Sequence, residues 1–412
     1  MTSRERVLAS LNHQQPDRVP IDLSGYRSSG ISPIAYPKLR AALGLVPRTV
    51  DVYDAIQQLA IVHEDVLDRL GVDTIELGRA FCHEDKWWAD WTLLDGSPCR
   101  MPAWALPERM GPDWVFRGPS GRIMARMPEG SLVFDQTYWP FLEGVEDLSQ
   151  IEAFYPEAMW TGLPTPPGPS ISGPDELARG VRALRASTSR AIIGAFGANL
   201  FEMGQFFYRM DNFLMLLAAE PERVHRFLDA LMEIHMRNLE IFLGAVGDSI
   251  DVILFGDDLG AQNSPQISPR MYREFFKPRH AMLWARAKQL SNAKVMLHSC
   301  GAVRPLLPDL IDAGLDVINP VQISCRGMEA EGLKRDFGRD LAFWGGGCDT
   351  QKILPQGTPA QVREHVLHQC ETLAPGGGFV FQQVHNIMAN VPAENLVAMY
   401  DAVHEYDAKK GN

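Results

Sequence analysis

Basic residues are in the minority throughout this chain. Its 412 residues carry 39 Lys and Arg against 51 Asp and Glu, for a formal net charge of −12, and no Lys/Arg block offsets the excess. Nucleic acids and anionic bilayers are bound through such blocks, so no nucleic-acid or membrane-surface partner is expected. No stretch of about 18 uncharged apolar residues occurs. The opening Met1-Thr2-Ser3-Arg4-Glu5-Arg6 lacks the apolar core of an export signal. The expectation is a cytosolic protein. Cysteine is scarce too: six in the whole chain, at 82, 99, 300, 325, 348 and 370, too dispersed for a disulfide framework. They are left as core residues or metal ligands. No G-x-G-x-x-G follows the first apolar run, which removes the dinucleotide fingerprint, and no internal repeat recurs at a fixed period.

What is present is ample core, with 46% hydrophobic residues. Short apolar runs at Val72–Leu77, Ala191–Phe196, Asp251–Phe255, Ala293–Leu297, Asp316–Asn319, Leu341–Trp344 and Gly378–Gln382 alternate with helical patterns. In Pro221–Leu243, for example, Val224, Phe227, Leu228, Leu231, Ile234, Leu239 and Phe242 approximate the 3.6 period. Pro269–Leu290, Val303–Ala313 and Pro359–Leu373 read the same way. Runs separated by crossover helices make a parallel sheet. The expected fold is an α/β (β/α)8 TIM barrel, with its eighth strand not evident in the pattern. The stretch from His83 to Pro166 departs from this, with Trp at 87, 88, 91, 104, 114, 139 and 160 and three β-like runs, Trp114–Phe116, Ile123–Arg126 and Leu132–Asp135. It reads as a β insertion after the first strand, an inserted cap over one barrel end within a single 1–412 domain. Its aromatics either line a mouth or pack the insertion to the barrel, and packing is the simpler reading. Gly162–Pro174 reads as a linker loop.

Barrel chemistry gathers at the C-terminal ends of strands. Here those ends carry Asn199, Glu202, Asp257, Asp258, His298, Cys300, Asn319, Gln322, Asp349 and His385. Polar groups at several strand ends are costly to bury without partners, which favours a site. Taken singly, Glu202 could cap a helix, Asp257 or Asp258 could bond loop amides, and Asp349 could start a short helix. His298-Ser299-Cys300 places an imidazole and a thiol on one face of a strand end, and Gly301 lets the chain turn away. Those two with His385 make a three-ligand metal set with an open fourth position, the pattern of catalytic zinc. Cys348, at another strand end, is the rival third ligand. A hydrogen-bonded histidine beside a packed cysteine is the alternative to any metal.

His298-Ser299-Cys300-Gly301, preceded by Asp257-Asp258 and followed by Asn319-Pro320-Val321-Gln322, resembles the uroporphyrinogen decarboxylase superfamily, in particular its zinc-containing, cobalamin-dependent methyltransferase branch. Arg4–Leu11, Pro16–Pro20, Trp344-Gly345-Gly346, Gly376-Gly377-Gly378 and Pro392-Ala393-Glu394-Asn395 carry the resemblance along the chain. It implies a Zn2+ site and methyl transfer between a small methylated substrate or thiol acceptor and a corrinoid (cobalamin) held by a separate protein. It also implies a homodimer. His385 occupies the place of that branch's later cysteine, which makes the metal set less thiolate-rich and a better Lewis acid. The arginine-containing motif of true porphyrinogen decarboxylases is not reproduced in Leu23–Gly30, where Arg27 alone remains as an anion contact.

In the leading reading Asp257 or Asp258 is the acid/base, Glu202 a further catalytic group or fourth ligand, and Asn199, Asn319 and Gln322 orient substrate. The alternatives are a metal-free carboxy-lyase acting on a tetrapyrrole or other acid, and a non-catalytic corrinoid- or tetrapyrrole-binding protein.

Overall fold

The computed structural model describes residues 1–82, 84–143, 146–162 and 173–410. Its centre is one sheet of seven parallel strands: β1 Thr74–Glu76, β2 Ala191–Gly197, β3 Val252–Gly256, β4 Lys294–His298, β5 Val317–Asn319, β6 Ala342–Trp344 and β7 Phe379–Val380. Each pairs with its neighbours in chain order. All seven runs read from the sequence therefore supply a strand, in a curled α/β sheet of TIM-barrel-like form. Strands covered on both faces need apolar side chains on both. Val317–Asn319 and Ala342–Trp344 are buried at every position. Alternate residues fill the concave interior, where Ala191, Ile193, Val252, Leu254, Met296, Val317, Ala342, Trp344 and Val380 form one cluster. Val7 and Leu11, from the helix Ser3–Leu11, and Tyr26 complete it.

The two edge strands are joined by a few residues of chain. Asp73 N–H donates to the Ile21 carbonyl at 2.8 Å, and on the other side Asp22 N–H donates to Phe381 O and Phe381 N–H to Pro20 O, both at 2.8 Å. Ile21 makes a single parallel bridge to Phe381. This is the element that the apolar pattern leaves unseen.

The outer helices follow the expected periodicities. Helix α1, Phe201–Tyr208, follows β2, and helix α2, Pro221–Val246, buries Val224, Phe227, Leu228, Leu231 and Leu239 on one face. The segment expected as one helix over Pro269–Leu290 is interrupted by a π-helical turn at Tyr272–Phe276 before α3, Lys277–Leu290.

Between β1 and β2 the chain forms small antiparallel sheets. Trp88–Thr92 pairs with Pro98–Pro102, and Glu108–Met110, Asp113–Arg117, Ile123–Met127 and Asp135–Gln136 form a second sheet. The third of the expected runs is displaced, with pairing at Asp135–Gln136 and not at Leu132–Phe134. The tryptophans pack in pairs, Trp91 on Trp114 at 4.6 Å between ring centroids and Trp87 on Trp104 at 5.4 Å. His83 and most of the proposed linker, residues 163–172, lie outside the described residues. Among the described residues no helix is long and apolar enough to cross a membrane.

Candidate metal centre and cavity

The strand register sets the site. Gly256, His298 and Asn319 are aligned neighbours at the ends of β3, β4 and β5. Beyond them the loops after β3 and β4 cross backbone to backbone. A Cβ on Gly301, whose φ is +91°, would lie 2.4 Å from the Gly260 carbonyl carbon, so no other residue fits. Ala302 N–H donates to Ala261 O at 2.8 Å and locks the crossing. It brings Asp258 to Cys300, whose N–H donates to Asp258 Oδ1 at 2.7 Å.

His298 Nε2 is 3.4 Å from Cys300 Sγ. The ligand atoms of His298, Cys300 and His385 all lie within 4.8 Å of one another. The tautomer of His298 follows from its partners. Asn319 Nδ2 donates to the Trp344 carbonyl and to Gln382 Oε1, each at 3.0 Å, which leaves its Oδ1 as an acceptor at 2.8 Å from His298 Nδ1. The proton therefore sits on Nδ1, and Nε2 turns a lone pair toward Cys300. Tyr26 OH also donates to Gln382 Oε1, at 2.9 Å. Burial, with His298 beside it, brings the His385 pKa down to about 4, so that ring is neutral at pH 7. Burial, then Asp258 and Glu202, pushes the Cys300 thiol well above its ordinary value. Two imidazoles and a thiol are a donor set that suits Zn2+.

The two aspartates do different things. Asp257 is fully buried. Its oxygens accept from Phe201 N–H at 3.0 Å and Glu202 N–H at 2.9 Å, holding the first turn of α1, and lie 3.2 Å from His280 Nε2. Asp258 faces a cavity of about 630 Å³ that also exposes His298, His385, Glu202, Asn199 and Arg27. Its Oδ1 is 3.7 Å from His298 Nε2. Glu202 accepts from Asn199 Nδ2 at 2.6 Å, and burial together with Asp258 and Asp257 raises its pKa well above the ordinary value.

Asn319 and Gln322 are not on the cavity wall. Asn319 serves His298, and Gln322 Oε1 accepts from Gly301 N–H at 2.8 Å. Cys348 is wholly buried in the core and stands outside the ligand cluster, and Asp349 accepts from Gln351 N–H at 2.7 Å. Arg27 lies 3.7 Å from Asp54 through Nε. Sequence reasoning missed Tyr26, Gln382 and His235. His235 sits within the apolar stripe of α2 and reads as core. Trp160 stacks on Phe206 at 6.0 Å, and both line the cavity.

A parallel α/β sheet with convergent polar side chains at its strand ends defines an enzyme-type scaffold. Residues 173–406 match the family Uroporphyrinogen decarboxylase (URO-D), and the chain belongs to that family. It is 27% identical over 201 residues to a uroporphyrinogen decarboxylase of Pseudoalteromonas translucida (strain TAC 125), covering 46% of this chain and 51% of the relative. The chain thus spans about half the length of that curated relative. In structure it is similar to a methyltransferase from Methanosarcina mazei, with a TM-score of 0.57 and 17% identity over 98% of this chain and 99% of that one. At that identity the likeness speaks for the fold.

Proposed function

We propose that this protein is a zinc-dependent methyltransferase that exchanges a methyl group between a small substrate or thiol acceptor and a corrinoid carried by a separate protein. The observation that carries the reading is the cluster of His298, Cys300 and His385 beside the cavity, with the His298 tautomer fixed for coordination. The three would hold Zn2+ with one position open to substrate. The metal supplies Lewis acidity to the atom that gives or receives methyl. In this reading Asp258 accepts or returns a proton there, and Glu202, oriented by Asn199, donates one. Asp257, Asn319 and Gln322 hold this arrangement from behind. Arg27 offers the cavity a cation for an anionic substrate group.

The stretch 83–166 acts in this reading as an inserted cap on a single domain, and of its described residues Tyr155, Trp160 and Thr161 form part of the cavity wall. A homodimer in the cytosol completes the proposal.

The test is metal analysis of the purified protein, with anomalous scattering at the zinc edge, beside Cys300→Ala and His385→Ala. One zinc per chain in wild type and its loss in both variants is the expected result. No stoichiometric metal, or metal retained in both variants, would refute the site. Turnover of a carboxylated substrate undisturbed by chelators would favour the carboxy-lyase named for the Pseudoalteromonas relative.

A further inference from the structure

His235 lines the cavity but has no part in the chemistry above. It projects from the middle of α2 and is 7% exposed. Its one protein partner among the described residues is the Asn199 backbone carbonyl, 3.1 Å from Nε2. A carbonyl oxygen only accepts, so Nε2 must carry the proton of the neutral ring. Burial keeps the ring neutral at pH 7, with its pKa brought down to about 4. Nδ1 is then a pure acceptor, and no donor among the described residues approaches it. Asn238, one turn further along α2, lines the same wall. Next to this polar strip the wall is apolar, formed by Phe196, Phe206, Met203 and Trp160.

We propose that His235 is a specificity residue whose Nδ1, held in place by the Asn199 carbonyl, accepts a hydrogen bond from the substrate. The site then selects molecules that carry an O–H or N–H donor on a largely apolar body. An otherwise identical molecule with that donor capped leaves a buried acceptor unpaired, and such sites discriminate strongly against it. The inference rests on the cavity being the substrate site.

Benzyl alcohol and benzyl methyl ether are a matched pair of probes, titrated into the full-length protein and followed by ligand-observed NMR. The ether carries the larger apolar surface and on burial alone would bind more tightly. The alcohol is expected to bind at least about fivefold more tightly, the ratio one net hydrogen bond supplies. H235Q keeps an N–H for the Asn199 carbonyl but no acceptor at the Nδ1 position, and its preference should fall to one or below, toward the ether. H235N places an acceptor at that position and should keep the preference. Equal binding of the two probes to wild type, a preference surviving in H235Q, or one lost in H235N would overturn the acceptor role alone. Absence of saturable binding by either probe would overturn it together with the reading of the cavity as the substrate site. Zinc content, measured on the same samples, reports on the metal proposal independently.

Discussion

Replacing Asp257 by alanine removes the acceptor of two backbone donors at once, Phe201 N–H and Glu202 N–H, and takes the carboxylate away from His280 Nε2, 3.2 Å distant. Each orphaned buried donor costs roughly 1–3 kcal/mol, and water entering the vacated space returns part of that. The loss of a carboxylate at the start of α1 adds about 1 kcal/mol. Asp257→Ala should therefore lose about 3–5 kcal/mol, read as a lowered urea midpoint, with faster amide exchange at Phe201 and Glu202 as the local signature. Among the described residues the Asp258 carboxylate accepts from Cys300 N–H, and Asp258→Asn keeps an oxygen to receive it. That variant should stay within about 1 kcal/mol of wild type, retain metal, and lose methyl transfer by about a hundredfold, the scale of a missing general acid or base. A stable Asp257→Ala, or an Asp258→Asn as destabilised as its neighbour, would refute the division of labour between them.

Three further outcomes follow from the same geometry. Asn319→Leu strips His298 Nδ1 of its acceptor and should weaken zinc binding about 10–100-fold in competition with a chromophoric chelator; unchanged affinity would mean that the tautomer is set elsewhere. Burial raises Glu76 from 4.5 to about 7, so its protonated form favours the fold: that contribution is complete below pH 4.5 and is lost as pH rises through 7. Glu76→Gln should therefore stabilise the protein by up to about 3 kcal/mol at pH 8 relative to wild type and by little at pH 4, and equal effects at both pH values in parallel unfolding curves would contradict this. Gly301→Ala, at φ +91° and against the Gly260 backbone, should lose about 3 kcal/mol or more in the same assay, whereas a neutral effect would show that the two loops can part.

The seven strands were legible because each is a short apolar run, buried on both faces, that stops at a polar or glycine-rich turn. Residues 20–22 were not, since a single bridged residue between Pro20 and Asp22 is too short for any periodicity to register. That His298, Cys300 and His385 come together was legible from their spacing and strand-end positions. The roles of Asn319, Gln322 and Asp257 were not, because position at a strand end does not say whether a side chain turns to the cavity or to its neighbours. Asn319 spends its amide on His298, Trp344 and Gln382, and Gln322 spends its oxygen on Gly301. His235 escaped notice for the opposite reason: its helical register matches the buried stripe, while its ring reaches the cavity through Asn199.

The joint that links the sheet edges also sets when the site can exist. Tyr26 and Gln382, which steady the partner of His298, are 356 positions apart. At about 5–20 residues per second, a ribosome leaves Tyr26 waiting roughly 20–70 s for Gln382. Until then β1 has no link to β7, and the unpaired edges of the nascent sheet are open to other chains. Closure across so long a loop is among the slow steps of folding, so the hydrogen bonds that steady Asn319 against His298 are completed only as the sheet is sealed.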